Sequence, residues 1–372
     1  MGVYVHWPYC ARICPYCDFN VYKARGREAE AAELARAIVR DLEAQAELTG
    51  PRELVSVFFG GGTPSLMDPD WTGEIVAAAR RLWIPAADLE ISLEANPTDA
   101  EADRFQGFRD AGVNRLSLGL QSLDDGALKL LGRNHDAAEG RRAAETAAGI
   151  FPRLSVDLIY ARPDQTPQAW ADELRAAVDL GAEHVSPYQL TIEDGTAFDR
   201  AVRRGLLVPP AEEPAAELYE TTQAVLEAAG FEAYEVSNHA RGEAARSRHN
   251  LVYWRGQDYV GAGPGAHGRI TTPEGRLATT AADRPADYIA GRTNRELLTA
   301  QDVAEERLLG GLRVGEGVAF EEVAALGLTP DSPIVRRLVE LALLADDAQR
   351  LRATPAGGRV LDSLTTALAT EA

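Results

Sequence analysis

The alternation of short apolar runs with amphipathic helical stretches restricts the fold of this chain more than any other feature. Runs of strand length cover residues 3–6, 53–59, 89–94, 114–120, 154–160, 184–190 and 231–236. Helical stretches separate them; within residues 27–48, for example, Leu34, Ile38 and Leu42 recur at helical spacing. Repeated strand–helix units predict a parallel sheet, because each helix returns the chain to the same end of the sheet. The pattern therefore predicts an α/β fold, either an open doubly wound sheet or a full or partial β/α barrel.

Glycines and polar side chains stand at the carboxyl ends of these predicted strands. Gly60, Gly61, Gly62 and Thr63 follow the second run, Glu94 ends the third, Gln121 follows the fourth, and Asp157 lies within the fifth. Barrels of this kind place their chemistry at the carboxyl ends of the strands. A glycine run there lets the backbone approach a ligand closely. The sequence therefore predicts a ligand site at this edge of the sheet.

The three cysteines of the chain are Cys10, Cys14 and Cys17, and they form a single cluster. An odd number of cysteines at this spacing cannot form a disulfide framework. A zinc site usually takes four protein ligands, and His6 would have to be the fourth. The spacing C-x3-C-x2-C suits a [4Fe–4S] cluster better, because three thiolates bind three irons and leave the fourth iron open to a small molecule.

The cysteine motif, directly after a first strand, resembles the signature of the radical S-adenosylmethionine superfamily. The resemblance implies a partial, six-stranded β/α barrel whose open iron binds S-adenosylmethionine, with the cofactor carrying the chemistry. Cleavage of the cofactor to a radical and plain binding are both compatible with the motif. The resemblance also implies cofactor contacts at Tyr4, Tyr16, Gly61, Gly62, Thr63, Glu94, Gln121, Arg133 and Asp157.

Longer stretches resemble the coproporphyrinogen III oxidase family in its broad sense, over essentially the whole chain. They are YVHWPYCARICPYCDFN, FFGGGTPSLM, ISLEANPTD, RLSLGLQSLDDGALKLLGRNH and YVGAGPGAHG. One branch of this family is an oxygen-independent oxidase that decarboxylates two propionates of coproporphyrinogen III. The other branch is a haem chaperone, which would bind the cluster, S-adenosylmethionine and haem and deliver the haem to an acceptor protein.

Three features favour the haem-chaperone branch and leave the oxidase as the alternative. Phe19 stands where the oxidase has an additional cysteine, and Cys10 leaves no room for the N-terminal extension of the oxidase. The chaperone branch carries an H-N-x-x-Y-W motif, and residues 249–254 of this chain read HNLVYW. Enzymatic activity is therefore an open question at this stage.

The H-N-x-x-Y-W motif has a physical rationale for haem. A neutral imidazole is an axial ligand for haem iron, and tyrosine and tryptophan offer flat apolar faces to a porphyrin. Arg246 and Arg248 stand nearby and could pair with the propionates. We expect haem contacts at His249, Asn250, Tyr253 and Trp254, with His239 and His267 as rival iron ligands.

The chain departs from the family after the strand that contains Asp157. The family usually has Gly-Leu-Pro there, whereas this chain reads Ala161-Arg162-Pro163. If Ala161 must adopt a positive φ, the turn is strained. We therefore expect an effect on the edge of the cofactor site.

The sequence predicts three units: the barrel over residues 1–236, the haem motif and a connection over 237–298, and a mostly helical, winged-helix-like cap over 299–372. The connection is expected to be polar and irregular from about 271 to 298. In the cap we expect helices at 301–313, near 332–343 and at 356–370. A winged-helix module invites comparison with DNA-binding proteins. The net charge of −19, however, argues against a nucleic-acid partner, since phosphate backbones would be repelled.

The sequence also gives expectations for the cellular location of the protein and for its oligomeric state. No apolar run approaches the roughly 18 residues of a membrane-spanning helix, and the amino terminus lacks the pattern of a secretory signal. We therefore expect a cytoplasmic protein without an integral membrane segment. A homodimer is compatible with the sequence.

Overall fold

A twelve-stranded sheet forms the centre of the computed structural model, which describes residues 1–208 and 212–370. Residues 209–211 of the predicted barrel and 371–372 of the predicted cap lie outside the described residues. The strands are β1 (Gly2–Trp7), β2 (Tyr9–Cys10), β3 (Tyr22–Lys23), β4 (Glu53–Gly61), β5 (Ile84–Ala95), β6 (Arg115–Gln121), β7 (Arg153–Tyr160), β8 (His184–Gln189), β9 (Glu232–Glu235), β10 (Asn238–Ala240), β11 (Tyr259–Ala262), β12 (His267–Thr272), β13 (Gly275–Ala281), β14 (Thr293–Leu297), β15 (Val318–Ala319) and β16 (Arg350–Leu351).

Helices cover the outer face of the sheet and build the carboxyl-terminal part. They are α1 (Glu28–Thr49), α2 (Pro69–Leu82), α3 (Asp99–Ala102), α4 (Phe105–Asp110), α5 (Asp125–Leu130), α6 (Ala137–Ile150), α7 (Pro167–Val178), α8 (Ala197–Arg203), α9 (Glu212–Ala228), α10 (Arg248–Trp254), α11 (Pro285–Ile289), α12 (Ala300–Gly311), α13 (Pro333–Glu340), α14 (Pro355–Gly358) and α15 (Leu361–Thr370). Short 3-10 helices lie at Pro64–Leu66, Glu243–Ala245 and Phe320–Leu326. None of the described helices is both long and apolar enough to cross a membrane.

The order of strands in the sheet is β14-β13-β12-β11-β1-β4-β5-β6-β7-β8-β10-β9. Neighbours from β11 to β8 are all parallel, which confirms the parallel sheet predicted from the strand–helix alternation. Strands β1 and β4 to β8 are the six strands expected of the partial barrel. In the part of the chain that the structure describes, β14 and β9 each have a single neighbour, so the sheet stays open.

The two faces of the parallel strands differ in polarity, because successive side chains of a strand point to opposite sides. The outer face is apolar and packs under the helices; it includes Val3, Val5, Val57, Phe59, Ile91, Leu93, Leu116, Leu118, Val156, Leu158 and Val185. The inner face is also buried, but it is polar and includes Ser56, Glu90, Ser92, Arg115, Ser117, Ser155, His184 and Ser186. The inside of the partial barrel is therefore a polar surface that requires hydrogen-bonding partners.

Residues 271–298 do not form the irregular connection that we expected. They contain the end of β12, all of β13 and β14, and the short helix α11, and these strands extend the main sheet as antiparallel neighbours. The expectation was wrong because both faces of this segment are partly exposed, so the strands lack the apolar alternation that marks a half-buried strand.

The carboxyl-terminal part has its own apolar cluster. Helices α12, α13 and α15, with the two-stranded pair β15–β16, contribute Leu308, Val318, Leu338, Leu351 and Leu364 to it. Helix α12 confirms the helix predicted at 301–313. This mostly helical arrangement with a small sheet agrees with the expected winged-helix-like cap, whereas the boundaries of the three units stay predictions.

Helix α10, which carries the H-N-x-x-Y-W motif, is anchored to the inner face of the barrel by Glu90. The backbone N–H groups of Arg248 and His249 each donate to the Glu90 carboxylate at 3.2 Å, and Arg153 donates to it at 2.7 Å. Burial alone would raise the pKa of Glu90, but Arg115, Arg153 and the helix amides hold that pKa below its ordinary value. The carboxylate thus stays charged and satisfies the amino-terminal end of the helix.

Replacing Glu90 with alanine should lower the free energy of unfolding by about 3 kcal/mol, because the amides that begin α10 lose their acceptor and the half-buried Arg153 keeps only Glu183 as a carboxylate partner. Glu90→Gln keeps an acceptor oxygen and should cost less. Urea denaturation measures both changes, with Glu53→Ala, at an exposed position of β4, as the control. Equal stability of Glu90→Ala and the control would contradict the anchoring role.

Candidate functional site

A cavity of about 440 Å³ lies at the carboxyl ends of the parallel strands, and we call it the cysteine cavity. It is lined by Cys10, Cys14 and Cys17 together with Tyr16, Gly61, Gly62, Thr63, Glu94, Gln121, Arg133 and Asp157. Tyr4 is not among the lining residues: its hydroxyl lies 3.0 Å from Nδ1 of His6, and its ring stacks on Phe58. The structure therefore brings together every predicted cluster and cofactor residue except Tyr4.

The geometry of the cysteine loop favours a cluster over a single zinc ion. His6 is not free to act as a fourth zinc ligand, because its ring nitrogens lie 3.0 Å from the Tyr4 hydroxyl and 3.0 Å from the carbonyl oxygen of Asn20. Cysteines that share a cavity in this way suit a cubane, in which each thiolate binds a different iron.

Arg133 connects the cysteine loop with the ends of two strands. Its Nη1 lies 3.5 Å from Sγ of Cys14, and its Nη2 donates to Oδ1 of Asn96 at 2.5 Å and to the carbonyl oxygen of Gly119 at 2.9 Å. Burial raises the pKa of Cys10 to about 11, with a smaller opposing effect of Thr63. The charge of Arg133 also opposes this rise, but burial outweighs it. A guanidinium at this position would stabilise the negative charge of a metal-bound thiolate.

Glu94 and Asp157 are a half-buried acidic pair on the inner wall of the cavity. Glu94 accepts a hydrogen bond from the backbone N–H of Gly61 at 3.2 Å, and Asp157 accepts one from the Ser117 hydroxyl at 3.0 Å. Burial, followed by the charge of Asp157, raises the pKa of Glu94 to about 8, and burial also raises the pKa of Asp157. A cationic ligand would relieve this cost, and S-adenosylmethionine carries both an ammonium and a sulfonium group. The residues present therefore fit this cofactor.

The glycines at the carboxyl end of β4 have a packing role that the sequence did not reveal. Gly61 has a φ of 104°, and a Cβ atom there would lie 2.5 Å from the ring of His6. A Cβ atom on Gly62 would lie 2.8 Å from the carbonyl oxygen of Trp7. The glycines thus allow β4 to pack closely against the end of β1, which leads into the cysteine loop.

Several residues of the cavity were missed in the sequence: Asn96, Ser117, Tyr188 and Gln189 all line it. Asn96 accepts from Arg133 and donates to Oγ1 of Thr63 at 3.3 Å, so it joins two predicted cofactor residues. Tyr188 and Gln189 end β8. Both lie at the carboxyl end of the predicted strand 184–190, so their position at a strand end is the sequence signal that pointed to them.

The turn after β7 is strained, and a buried ion pair stabilises it. Ala161 is fully buried with a φ of 58°. The neighbouring Arg162 donates to the carboxylate of Glu173 and to the hydroxyl of Ser122. Glu173 also accepts from the backbone N–H of Leu123 at 2.7 Å. Arg162, which stands where the family usually has leucine, thus connects the turn after β7 to the segment that follows Gln121.

His249 is enclosed by protein rather than exposed to a ligand. Its Nδ1 lies 3.0 Å from Oγ of Ser56, its Nε2 lies 2.9 Å from the hydroxyl of Tyr253, and its ring stacks on Phe58 at 4.8 Å. Burial lowers the pKa of His249 to about 3, so the imidazole is neutral. The structure leaves neither ring nitrogen free for iron.

Tyr253 and Trp254 line a second cavity, of about 500 Å³. We call it the arginine cleft, because Arg269, Arg276, Arg307 and Arg313 also line it. Asn250 has a local role, since its backbone N–H donates to the capping hydroxyl of Ser247 at 3.3 Å. The motif therefore presents its two aromatic residues, rather than its histidine, to a cavity.

The other residues expected near haem lie apart from the arginine cleft. Arg246 pairs with Glu232 at 3.3 Å, and Arg248 pairs with Asp88. His239 is buried, with Nε2 3.2 Å from Oε1 of Gln223. His267 is exposed on β12. The structure therefore does not bring Arg246 and Arg248 to Tyr253 and Trp254.

The sequence matches two family models, the radical SAM superfamily over residues 4–177 and the HemN C-terminal domain over residues 298–360. It is 36% identical to the heme chaperone HemW of Escherichia coli strain K12, over 98% of this chain and 97% of that protein. The chain belongs to the HemW family. Another similar protein is the mitochondrial radical S-adenosyl methionine domain-containing protein 1 of Bos taurus, which is 41% identical over 98% of this chain and 86% of that protein.

The fold of this HemW-family chain is also that of a solved oxidase. Coproporphyrinogen III oxidase (HemN) from Escherichia coli superposes with a TM-score of 0.82, over 100% of this chain and 90% of that one. Their sequences are 22% identical, so this likeness concerns the fold alone. It confirms the partial barrel with its carboxyl-terminal cap.

The acidic pair predicts an unusual pH dependence of stability in protein prepared without cluster and cofactor. Because its folded-state pKa is raised, Glu94 keeps a proton that the unfolded chain loses, so the free energy of unfolding should fall as pH rises from 4.5 to about 8. Glu94→Gln should flatten this fall. Denaturant unfolding across that range measures it, with the exposed Glu321→Gln as the control. An unchanged slope in Glu94→Gln would refute the shift.

The buried pair beside the strained turn predicts a large effect of removing one partner. Glu173→Ala should lower the free energy of unfolding by about 3 kcal/mol, because Arg162 is left buried without its carboxylate. The double variant Arg162→Leu/Glu173→Gln removes both charges and should recover part of the loss. Urea midpoints of the three proteins test this. A double variant that is as unstable as Glu173→Ala would contradict the explanation.

Proposed function

We propose that this protein is a haem chaperone that holds a [4Fe–4S] cluster and S-adenosylmethionine in the cysteine cavity and delivers haem to an acceptor protein. The observation that carries the proposal is the composition of that cavity. It combines three cysteines, an arginine beside a thiol and a half-buried acidic pair suited to a cationic cofactor. The names of the bacterial relatives as heme chaperones support haem as the cargo.

Each part of the cysteine cavity has a proposed role. Cys10, Cys14 and Cys17 would hold the cluster, which supplies an electron and an open iron when bound. Arg133 would offset the negative charge of the cluster-bound thiolate of Cys14, and Glu94 and Asp157 would face the positive charges of the cofactor. Gln121, which has a φ of 64°, would contact the cofactor from the end of β6.

The partners and the compartment follow from the same proposal. Haem and a haem-acceptor protein are the partners, and a homodimer could form during transfer. A reducing compartment such as the cytoplasm suits a cluster held by free cysteines. Nucleic acid has no part in this function.

An anaerobic assay distinguishes the chaperone from the oxidase of similar fold. Cluster-loaded protein is mixed with S-adenosylmethionine, a reductant and coproporphyrinogen III, and in parallel it is titrated with haem. The chaperone proposal expects haem binding without protoporphyrinogen. Formation of protoporphyrinogen would overturn it and would mean that Phe19, in place of the additional cysteine, does not prevent oxidase chemistry.

Cys14→Ala should abolish the visible absorbance of the reconstituted cluster, because a cubane with an open iron needs all three thiolates. Phe19→Leu changes the same loop without removing a thiol and should keep the absorbance. Iron and sulfide analysis of both proteins provides a second measure. Full absorbance in Cys14→Ala would disprove the ligand assignment.

A further inference from the structure

Asn96 follows β5 at the wall of the cysteine cavity and contacts two residues that reach two different cysteines. Its side-chain oxygen accepts a hydrogen bond from Nη2 of Arg133 at 2.5 Å, and its side-chain nitrogen donates to Oγ1 of Thr63 at 3.3 Å. Because a guanidinium only donates hydrogen bonds, the atom of Asn96 that faces Arg133 must be the oxygen, and the nitrogen must face Thr63. One amide side chain thus has a fixed orientation between a cation and a hydroxyl.

A buried carboxylate, that of Glu101, fixes the backbone position of Asn96. The backbone N–H of Asn96 donates to Oε2 of Glu101 at 3.1 Å, and the hydroxyl of Ser65 donates to the same oxygen. The other carboxylate oxygen accepts from the hydroxyl of Thr98 at 3.3 Å. Since Glu101 is buried, these hydrogen bonds are formed in an environment of low dielectric constant, where they are strong. The side chain of Asn96 therefore enters the cavity from a backbone that is held in one place.

The first residue that Asn96 holds, Arg133, brings a positive charge to Cys14. Its Nη1 lies 3.5 Å from Sγ of Cys14 and 3.4 Å from the hydroxyl of Tyr16, and its Nη2 also donates to the carbonyl oxygen of Gly119 at 2.9 Å. The hydrogen bond to Asn96 is the shortest of these contacts. None of these partners in the described structure is a carboxylate, so the positive charge of Arg133 is not cancelled beside Cys14.

The second residue that Asn96 holds, Thr63, lies beside Cys10. Its backbone N–H donates to the carbonyl oxygen of Tyr9 at 3.0 Å. Burial raises the pKa of Cys10, and a hydrogen bond from the side chain of Thr63 opposes this rise. A hydroxyl has a single proton, and the amide of Asn96 already donates to the hydroxyl oxygen. The proton of Thr63 is therefore available to the sulfur of Cys10.

A carboxylate at position 96 would disturb both contacts, although aspartate has nearly the same size as asparagine. It would pair with Arg133 and offset the positive charge, and as an acceptor it would take the proton of Thr63 away from Cys10. Alanine would release both residues. The amide of Asn96 is therefore suited to its place because it accepts on one side and donates on the other.

We propose that Asn96 is a positioning residue that raises the reduction potential of the [4Fe–4S] cluster by directing Arg133 at Cys14 and Thr63 at Cys10. Hydrogen bonds and positive charge at the cluster sulfurs stabilise the reduced cluster, which carries one more negative charge than the oxidised cluster. The inference rests on the proposed function, since it requires the cluster. It adds the residue that controls how readily the cluster takes up an electron.

The test is a redox titration of the full-length, cluster-loaded protein before S-adenosylmethionine is added, followed by the electron paramagnetic resonance signal of the reduced cluster. Asn96→Ala should make the equilibrium constant for one-electron reduction about tenfold smaller, which is a potential about 59 mV more negative. Asn96→Asp should shift the potential further in the same direction, because it also adds a negative charge. Asn294→Ala, at an exposed position of β14, is the control and should leave the potential unchanged.

Thr63 offers a matched pair of variants that leaves Asn96 and Arg133 in place. Thr63→Val removes the hydroxyl and should shift the potential in the same direction as Asn96→Ala, but by less. Thr63→Ser keeps a hydroxyl and should keep the potential of the unchanged protein. Iron and sulfide analysis shows which samples are fully loaded.

Equal potentials of the unchanged protein, loaded Asn96→Ala and Thr63→Val overturn the proposal. If Asn96→Ala assembles no cluster, equal potentials of Thr63→Val and Thr63→Ser overturn it without that variant. An unchanged protein that assembles no cluster contradicts the proposed function itself, so the two failures are distinguishable.

Discussion

The polar inner face of the partial barrel is the constraint on which the rest of this structure depends. A parallel sheet covered by helices on one side would normally be buried on both faces, and buried polar groups are costly unless they have partners. Here Glu90 satisfies the amino-terminal end of α10 and the side chain of Arg153. Near the carboxyl ends of the strands, the acidic pair Glu94 and Asp157 has neutral hydrogen-bond partners and faces the cysteine cavity. One face of one sheet thus positions both the proposed haem motif and the proposed cofactor site.

The two cavities are separate, but one aromatic column lies between them. Tyr4 stacks on Phe58 and on His249, its hydroxyl contacts His6, and His249 contacts Tyr253 at the arginine cleft. His6 in turn packs beside Gly61, at the start of the cofactor loop. This column gives a structural role to Tyr4 and His249, two residues that the family resemblance had placed in direct contact with ligands.

The carboxyl ends of the strands could be predicted because the alternation of apolar runs with amphipathic helical stretches shows where each strand stops. The alternation of strands and helices indicated where the chain crosses the sheet, and parallel strands bring their carboxyl ends to one edge. For that reason Gly61, Glu94, Gln121 and Asp157 could be grouped before any coordinates were known. The same reasoning missed β13 and β14, since exposed strands at the edge of a sheet have no apolar period.

The sequence alone determined the parallel α/β sheet, the cysteine cluster and the membership of the larger family, because periodicity and motif spacing are local properties of the chain. It also pointed to Ala161 as a strained residue, although not to the ion pair of Arg162 with Glu173 that stabilises the turn. The tertiary structure decided which face each motif presents. His249 is enclosed, Arg246 and Arg248 pair with Glu232 and Asp88, and Arg313, distant in sequence, lies 4.4 Å from the ring of Trp254. Such contacts join segments far apart along the chain, and only the packing of helices against the curved sheet brings them together.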